Sequence, residues 1–139
     1  MKTLGLSVKE DGPIEGTYTN YENLDEATVA VHDYMKFVKF GFCRATDHAC
    51  LDIRNGRLSR EEAVKLVEQY DGKRPVHAIA AFLEYSGMSE KEFDTIVDSF
   101  TDKALFETDE SGALIRDAHD SLIKRYRDYS IAAQVPAAK

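Results

Sequence analysis

The chain lacks the long apolar segments that are typical of membrane-spanning and secreted proteins. It contains no Trp, three Pro and two Cys among 139 residues. No apolar run approaches the ~20 residues that a membrane-spanning helix needs. The first residues, MKTLGLSVKEDGP, lack the apolar core of a signal peptide. We therefore expect a cytoplasmic protein with no membrane partner.

The two cysteines, Cys43 and Cys50, are expected to be reduced and structural. If both lie on one helix, residues seven apart are separated by about 10.5 Å along its axis, whereas a disulfide needs Cα atoms within about 7 Å. Two thiols alone also make a poor zinc site. The four His are scattered without ligand spacing, so we predict no metal site.

Motifs of the common nucleotide-binding and hydrolytic sites are missing as well. The chain has no GxGxxG, no GxxxxGK[ST], no GxSxG and no HExxH. Its formal net charge of -7 argues against nucleic acid as a partner. No catalytic residue is predicted within this chain.

What the chain does contain is a succession of helix signals. Asn23 with Glu26, Ser59 with Glu62 and Ser89 with Glu92 match the capping-box pattern, and apolar residues recur at helical spacing after each. We predict a mostly α fold, a compact bundle of about five or six short helices. It occupies residues 23–131, after an irregular segment 1–22 and before a frayed tail 132–139.

The predicted helices have definite ends. They begin after Asn23 and end near Gly41, run from about 44 to 54, and then cover 60–71, 75–86 and 90–100. After residue 100 the pattern changes. It predicts one small β-hairpin near 104–115 around a Gly-containing turn, and then a final helix over 118–129.

One segment has the opposite charge to the rest of the chain. Only Asp47 and Asp52 oppose its six basic residues, which are Lys36, Lys39, Arg44, Arg54, Arg57 and Arg60. Arginine forks and the free amides of a helix N-terminus together suit a phosphate. Alternatively, these cations solubilise a helix end or form surface pairs, such as Arg44 with Asp47, that contribute only ~0–1 kcal/mol.

Arg44 and Arg54 are expected to play different parts. Ten residues separate them by about 15 Å along a helix, so they cannot hold one phosphate together. Arg44, near the helix start, is the better anion site, and Arg44→Ala should weaken ligand binding with little loss of stability. Arg54, near the C-terminus, should bond helix-end carbonyls or Glu61 or Glu62, so that Arg54→Ala lowers stability.

This segment and its flanks resemble the C-terminal region of the N-acetyl sugar amidotransferases. The matching stretches are KFGFCRATD (39–47), DIRNGRLSREEA (52–63) and YDG (70–72), and EGTY (15–18) fits upstream. The family pattern is close to KFGxGRATDxAxxxIRxGxxTREEAxxLVxxYDG, and the resemblance covers residues 14–110. Cys43 stands where the family usually has Gly, which puts close approach of this turn to a ligand in question.

The resemblance implies an activity that this chain does not complete. The family's enzymes of lipopolysaccharide and nonulosonic-acid biosynthesis use ATP and Mg to adenylate an acetamido oxygen on a nucleotide sugar. Ammonia from a glutaminase then displaces AMP and leaves an acetamidino group. Their ATP is held by an SGGxDS loop on an N-terminal domain, and this chain has no such loop. We expect an accessory C-terminal domain that is inactive alone and has no cofactor of its own.

The resemblance and the local charge together give the candidate substrate-binding residues. These are Lys39, Arg44, Thr46, Asp47, His48 and Arg57. The implied partners are an ATP-binding amidotransferase domain, a glutaminase subunit, a nucleotide sugar and a second copy of the chain. The alternative function is a non-catalytic helical module for protein interaction or oligomerisation.

Overall fold

A computed structural model describes residues 7–125 of the chain, in which an irregular segment is followed by five α-helices and an antiparallel C-terminal segment. The helices are α1 (Val29–Phe40), α2 (Arg44–Arg54), α3 (Arg60–Tyr70), α4 (Val76–Ser86) and α5 (Glu90–Phe100). The predicted mostly α fold is confirmed. Within the described range, no helix has the length and apolar character needed to cross a membrane.

Local sequence chemistry fixes several helix ends. At α3, the Ser59 hydroxyl accepts the N–H of Glu62 at 3.2 Å, and the Glu62 carboxylate accepts the N–H of Ser59 at 2.8 Å. The same reciprocal arrangement opens α5 at Ser89. Helices α1 and α4 end at Gly41 and Gly87, both in the left-handed conformation. These predicted ends are confirmed.

The start of α1 differs from the prediction. The helix begins at Val29, and Asn23 has a φ of 50° instead of the extended conformation of an N-cap. The Glu26 carboxylate bonds the N–H and the hydroxyl of Thr28 at 2.9 and 2.5 Å. Because these short-range bonds occupy Glu26, no capping box forms with Asn23, and residues 23–28 remain in turns.

The predicted hairpin near 104–115 is present. A turn over residues 109–112 brings Thr108 opposite Leu114 in an antiparallel pair. The Asp109 carboxylate shapes this turn by accepting the N–H groups of Ser111 and Ala113 at 2.8 and 3.0 Å. These bonds also lower the pKa of Asp109, the hydrogen bond from the Ser111 hydroxyl most of all.

The final helix predicted over 118–129 is wrong in its described residues. A second turn brings Leu122 opposite Arg116 in an antiparallel pair. The Asp117 carboxylate accepts the N–H groups of His119 and Ser121 at 2.8 and 3.0 Å, and this Asp-centred turn prevails over the helical spacing of the apolar residues. Residues 126–129 and the predicted tail 132–139 lie outside the described residues.

The core lies where α1 packs against α4, α5 and the antiparallel segment. Tyr34, Phe37 and Val38 of α1 are buried there with Val97 and Phe106. The rings of Phe37 and Phe106 pack at a centroid distance of 5.4 Å with a tilt of 55°. Helix α2 lies mainly on α3, so the cationic segment is held at one side of this core.

Candidate functional site

The residues before α1 fasten two helices, although they form no helix or strand in the described part. At the start of α4, the Glu15 carboxylate accepts the N–H groups of His77 and Ala78 at 3.2 and 3.0 Å. Helix N-termini leave such amides unpaired, and their partial positive charge favours a carboxylate. The predicted domain boundary at residue 22 stays a prediction, but residues 15–22 bond directly to α2 and α4.

His48 lies at the centre of a polar network on the inner face of α2. Its Nδ1 is 2.7 Å from the Thr17 hydroxyl, and its Nε2 is 2.9 Å from the Glu22 carboxylate. These distances match a nucleophilic hydroxyl–imidazole–carboxylate triad. Thr17, however, is fully buried, so no substrate reaches its hydroxyl. The network holds the N-terminal segment against α2.

Arg44 forms a bidentate ion pair with a buried carboxylate. Its Nε and Nη2 lie 2.5 and 3.2 Å from the oxygens of Asp33, whose side chain is 7% exposed, and its Nη1 lies 3.1 Å from Glu22. The Asp33 hydrogen bond raises the pKa of Arg44. The pairing of Arg44 with Asp47 does not occur, because Asp47 binds Lys36 at 2.6 Å. Two internal carboxylates already use the guanidinium that we expected to face a phosphate.

The N-terminus of α2 is also occupied from within the chain. The Asp71 carboxylate accepts the N–H of Cys43 at 3.0 Å and the Thr46 hydroxyl at 2.6 Å, and the Thr46 N–H lies 3.4 Å away. The Cys43 thiol donates to the same carboxylate at 3.0 Å. Burial, and next the Asp71 charge, raise the pKa of Cys43 to about 12. This helix end, predicted as an anion site, therefore holds the anion of Asp71.

Position 72 requires glycine, whereas the backbone at position 43 accepts any residue. Gly72 has a φ of 73°, and the Phe37 ring occupies the place where a Cβ would lie, so only glycine fits without displacing the core. Cys43 has a φ of -147°, which any residue adopts. The presence of Cys where the resembling family has Gly therefore imposes no backbone strain on this turn.

Tyr18 extends the inner network to the second half of α2. Its hydroxyl donates to Asp52 at 2.8 Å, and Arg57 donates to the same carboxylate at 3.1 Å. Burial, and next the hydrogen bond to Asp52, raise the pKa of Tyr18, while the Tyr18 bond lowers the pKa of Asp52. Because the Arg57 side chain is 68% exposed, its pair with Asp52 contributes little to stability.

The outer side of the same region exposes aromatic and cationic side chains. Lys36 lies 4.6 Å from the Phe42 ring centroid, and Lys39 lies 4.5 Å from that of Phe100. Phe40 and Lys39 each share a side of α1 with Lys36, because residues three and four apart are neighbours on a helix. This surface is the aromatic–cationic face, made of Phe40, Phe42, Leu51, Phe100, Lys39 and Arg54, whose four apolar members are exposed.

The side chain of Arg54, the last residue of α2, lies on this outer surface and does not bond the helix end. Between residues 7 and 125 it has no hydrogen bond or ion pair, so the expected bonds to Glu61, Glu62 or helix-end carbonyls are absent. The carbonyl of Leu51 instead accepts the side-chain amide of Asn55 at 2.9 Å. Arg54, Phe42 and Leu51 line one groove of about 500 Å³ along α2.

The structure divides the six predicted site residues into two groups. Arg44, Thr46 and His48 are bonded into the interior, whereas Lys39, Asp47 and Arg57 are exposed. Their role in substrate binding stays a prediction. Sequence reasoning missed the partners on other elements, namely Glu15, Thr17, Tyr18, Glu22, Asp33 and Asp71. The only available signal was that EGTY and YDG both belong to the resemblance.

The fold and the network define a small helical domain whose polar motif stabilises the domain itself. Within residues 7–125, no group of three His, Cys, Asp or Glu could hold a metal ion. A family model described as "LPS biosynthesis protein WbpG-like, C-terminal domain" matches residues 15–122. The chain belongs to this family, and the matched span includes the whole inner network. The search of curated proteins found no match to the chain.

Proposed function

We propose that the chain is a non-catalytic accessory domain of an ATP-dependent N-acetyl sugar amidotransferase, docked to the ATP-binding domain through the aromatic–cationic face. Membership of the lipopolysaccharide-biosynthesis family supports the setting, and the resemblance of residues 39–72 supports the reaction. One observation carries the docking assignment: the polar motif is used internally, while its outer side exposes Phe40, Phe42 and Leu51.

In this proposal the ATP-binding domain performs the chemistry. It holds ATP and Mg, transfers AMP to the acetamido oxygen of a nucleotide sugar and releases pyrophosphate. Ammonia from a glutaminase subunit attacks the activated carbon, and the C–O bond to AMP breaks to leave the acetamidino product. Because ATP is the co-substrate, we place the domain in the cytoplasm. Thr17 beside His48 is inaccessible, so this triad-like group supplies no nucleophile to the reaction.

The aromatic–cationic face suits a protein partner of particular chemistry. Aromatic residues and Arg are enriched in protein interfaces, and contiguous exposed apolar patches mark interaction sites. Lys39 and Arg54 border the apolar centre, so the matching surface should present carboxylates around an apolar patch. A second copy of the chain is a poorer partner, because two molecules of net charge -7 repel each other.

A binding measurement with matched variants tests this function. We expect the chain to bind the SGGxDS-containing domain in isothermal titration calorimetry, and Phe42→Asp to abolish the heat of binding. Tyr85→Asp is the control, because Tyr85 is an aromatic residue that is 89% exposed on α4, outside the face. No binding, or equal loss in both variants, would contradict the proposal.

Further experiments on the purified chain distinguish the proposed function from an interaction module, a catalytic role and nucleotide-sugar binding. Binding to the glutaminase alone, or self-association in sedimentation that Phe42→Asp abolishes, would favour the interaction module. Release of AMP or pyrophosphate by the isolated chain with an acetamido sugar would overturn its non-catalytic assignment. NMR shifts confined to residues 39–60 on adding a UDP-N-acetyl sugar would instead support the predicted nucleotide-sugar contact through Lys39 and Arg57.

A further inference from the structure

A cleft of about 310 Å³ lies between the end of α3, the turn that follows it and residues 117–124. Its apolar lining includes Val67 and Leu122, and its polar lining includes Glu68, Lys73 and Ser121. Ligand pockets usually measure about 300–1,000 Å³, so this cleft has room for a small molecule only. It is separate from the aromatic–cationic face, with which it shares no residue.

One buried polar group of this cleft lacks a partner. Ser121 is 6% exposed, and its hydroxyl makes no hydrogen bond with any residue between 7 and 125. Burial of an unpaired hydroxyl is unfavourable, and native structures pair most such groups with protein or water. The Ser121 oxygen itself has almost no accessible surface, so a molecule in the cleft must be held by the exposed groups around it and not by this hydroxyl.

The charges around the cleft nearly cancel. Its carboxylates are Glu68, Asp71 and Asp117, and its ammonium groups are Lys73 and Lys124. Asp71 is bonded to the start of α2, and Asp117 accepts two backbone N–H groups in its own turn. With three carboxylates against two cations, the cleft gives no net attraction to a phosphate or other anion.

The cleft has both a hydrogen-bond acceptor and a hydrogen-bond donor that a bound molecule can use. Neither the Glu68 carboxylate nor the Lys73 ammonium hydrogen-bonds to a described residue, so one can accept and the other can donate. The Lys124 ammonium lies 5.1 Å from the centroid of the Phe37 ring. An uncharged ligand with several hydroxyls uses donors and acceptors together and needs no net charge in its site.

We propose that this cleft binds a neutral, hydroxyl-rich molecule of monosaccharide size. Its hydroxyls accept from Lys73 and donate to Glu68, while its C–H groups contact Val67 and Leu122. The proposal rests on the lining of the cleft alone and does not depend on the docking function proposed above.

Titration of the whole chain followed by amide NMR tests the proposal. The probes are glucose and N-acetylglucosamine as neutral sugars, inorganic phosphate as an anion and glycine as a zwitterion. We expect saturable shifts in residues 67–73 and 117–124 with at least one sugar and none with phosphate or glycine. Saturable shifts in these residues with phosphate or glycine, or none with either sugar, would overturn the proposal.

Variants confine the result to the cleft. Glu68 and Lys73 are exposed, so Glu68→Ala and Lys73→Ala should fold normally, and each should weaken sugar binding by about tenfold, the loss expected for one hydrogen bond. Lys65→Ala is the control, because Lys65 is also exposed on α3 but is not part of the cleft lining. Unchanged affinity in both cleft variants would also overturn the proposal.

Discussion

Each of the two faces of α2 carries an arginine, but the two arginines have different surroundings. On the inner face, Arg44 and His48 are bonded to carboxylates and hydroxyls that lie on other elements. On the outer face, Arg54 has no described partner, and Leu51 is half exposed. An arginine in a recognisable motif is therefore no evidence of a ligand site until its partners are known.

The comparison also explains why an acidic chain has one cationic segment. The segment is less unbalanced in space than along the sequence, because two further carboxylates reach it from elsewhere. Asp33 and Glu22 pair with Arg44, while Asp47 and Asp52, inside the segment, pair with Lys36 and Arg57. Local charge along a sequence is thus a weaker guide to an anion site than charge counted in space.

The largest expected difference between the two faces is in stability. Arg44→Ala should lower the free energy of unfolding by about 3–5 kcal/mol, because it leaves the buried Asp33 carboxylate without its partner. Arg54→Ala should change it by less than about 0.5 kcal/mol, as for most exposed sites. Urea unfolding followed by circular dichroism measures both. This reverses the order that we expected from the sequence.

The double variant Asp33→Asn/Arg44→Leu is the control for the Arg44 effect. Removing both charges should recover much of the loss, because the penalty comes from the unpaired carboxylate. Equal stability of Arg44→Ala and Arg54→Ala would mean that the inner network does not stabilise the domain. The contrast between the two faces would then be lost.

A smaller loss is expected at the start of α2. Asp71→Ala removes the acceptor for the Cys43 N–H and the Thr46 hydroxyl, and loss of an N-terminal cap costs up to about 2 kcal/mol. Hydrogen exchange should show faster exchange for the first amides of α2 than for the rest of the helix. Ser59→Ala, which removes the cap of α3, should affect α3 only. Uniform protection of α2 in Asp71→Ala would contradict the cap.

Tyr18→Phe should reduce stability by about 1 kcal/mol by removing one hydrogen bond, and should also change its pH dependence. Burial, and next Asp52, raise the pKa of Tyr18 in the folded state. Its contribution is therefore complete below the unfolded pKa of about 10 and is lost as the pH rises through the folded value. Unfolding curves from pH 8 to about pH 11 should fall more steeply for the unmodified chain. Parallel curves would show that Tyr18 ionises normally.

The smallest expected effect is a difference in chemical reactivity between the two thiols. Cys50 is exposed, whereas Cys43 is buried and its pKa is raised to about 12 by burial and by Asp71. Because the thiolate is the nucleophile, iodoacetamide at pH 8 should modify Cys50 and spare Cys43 in the folded chain. Mass spectrometry should show one adduct, and two after unfolding in urea. Rapid modification of Cys43 under native conditions would contradict its assigned environment.

The sequence was informative wherever a structure depends on neighbours a few residues apart. The capping box at Ser59 and the helix-ending glycines Gly41 and Gly87 act within about one helical turn, so their spacing predicts the ends of α1, α3 and α4. The predicted capping box at Asn23 and the predicted helix over 118–125 were wrong, because in each place another local hydrogen-bonding pattern formed in its stead. Glu26 bonded Thr28, and Asp117 formed a turn.

By itself, the sequence determined the mostly α class, most helix ends and the family to which the chain belongs. Only the tertiary structure decided what the charged motif does. Arg44 finds its carboxylates 11 and 22 residues away, and His48 bonds residues 26 and 31 positions away. Such pairs depend on how helices and loops pack, and no local spacing encodes them. For that reason, the packing assigned Arg44 to the interior and left Arg54 on the exposed face.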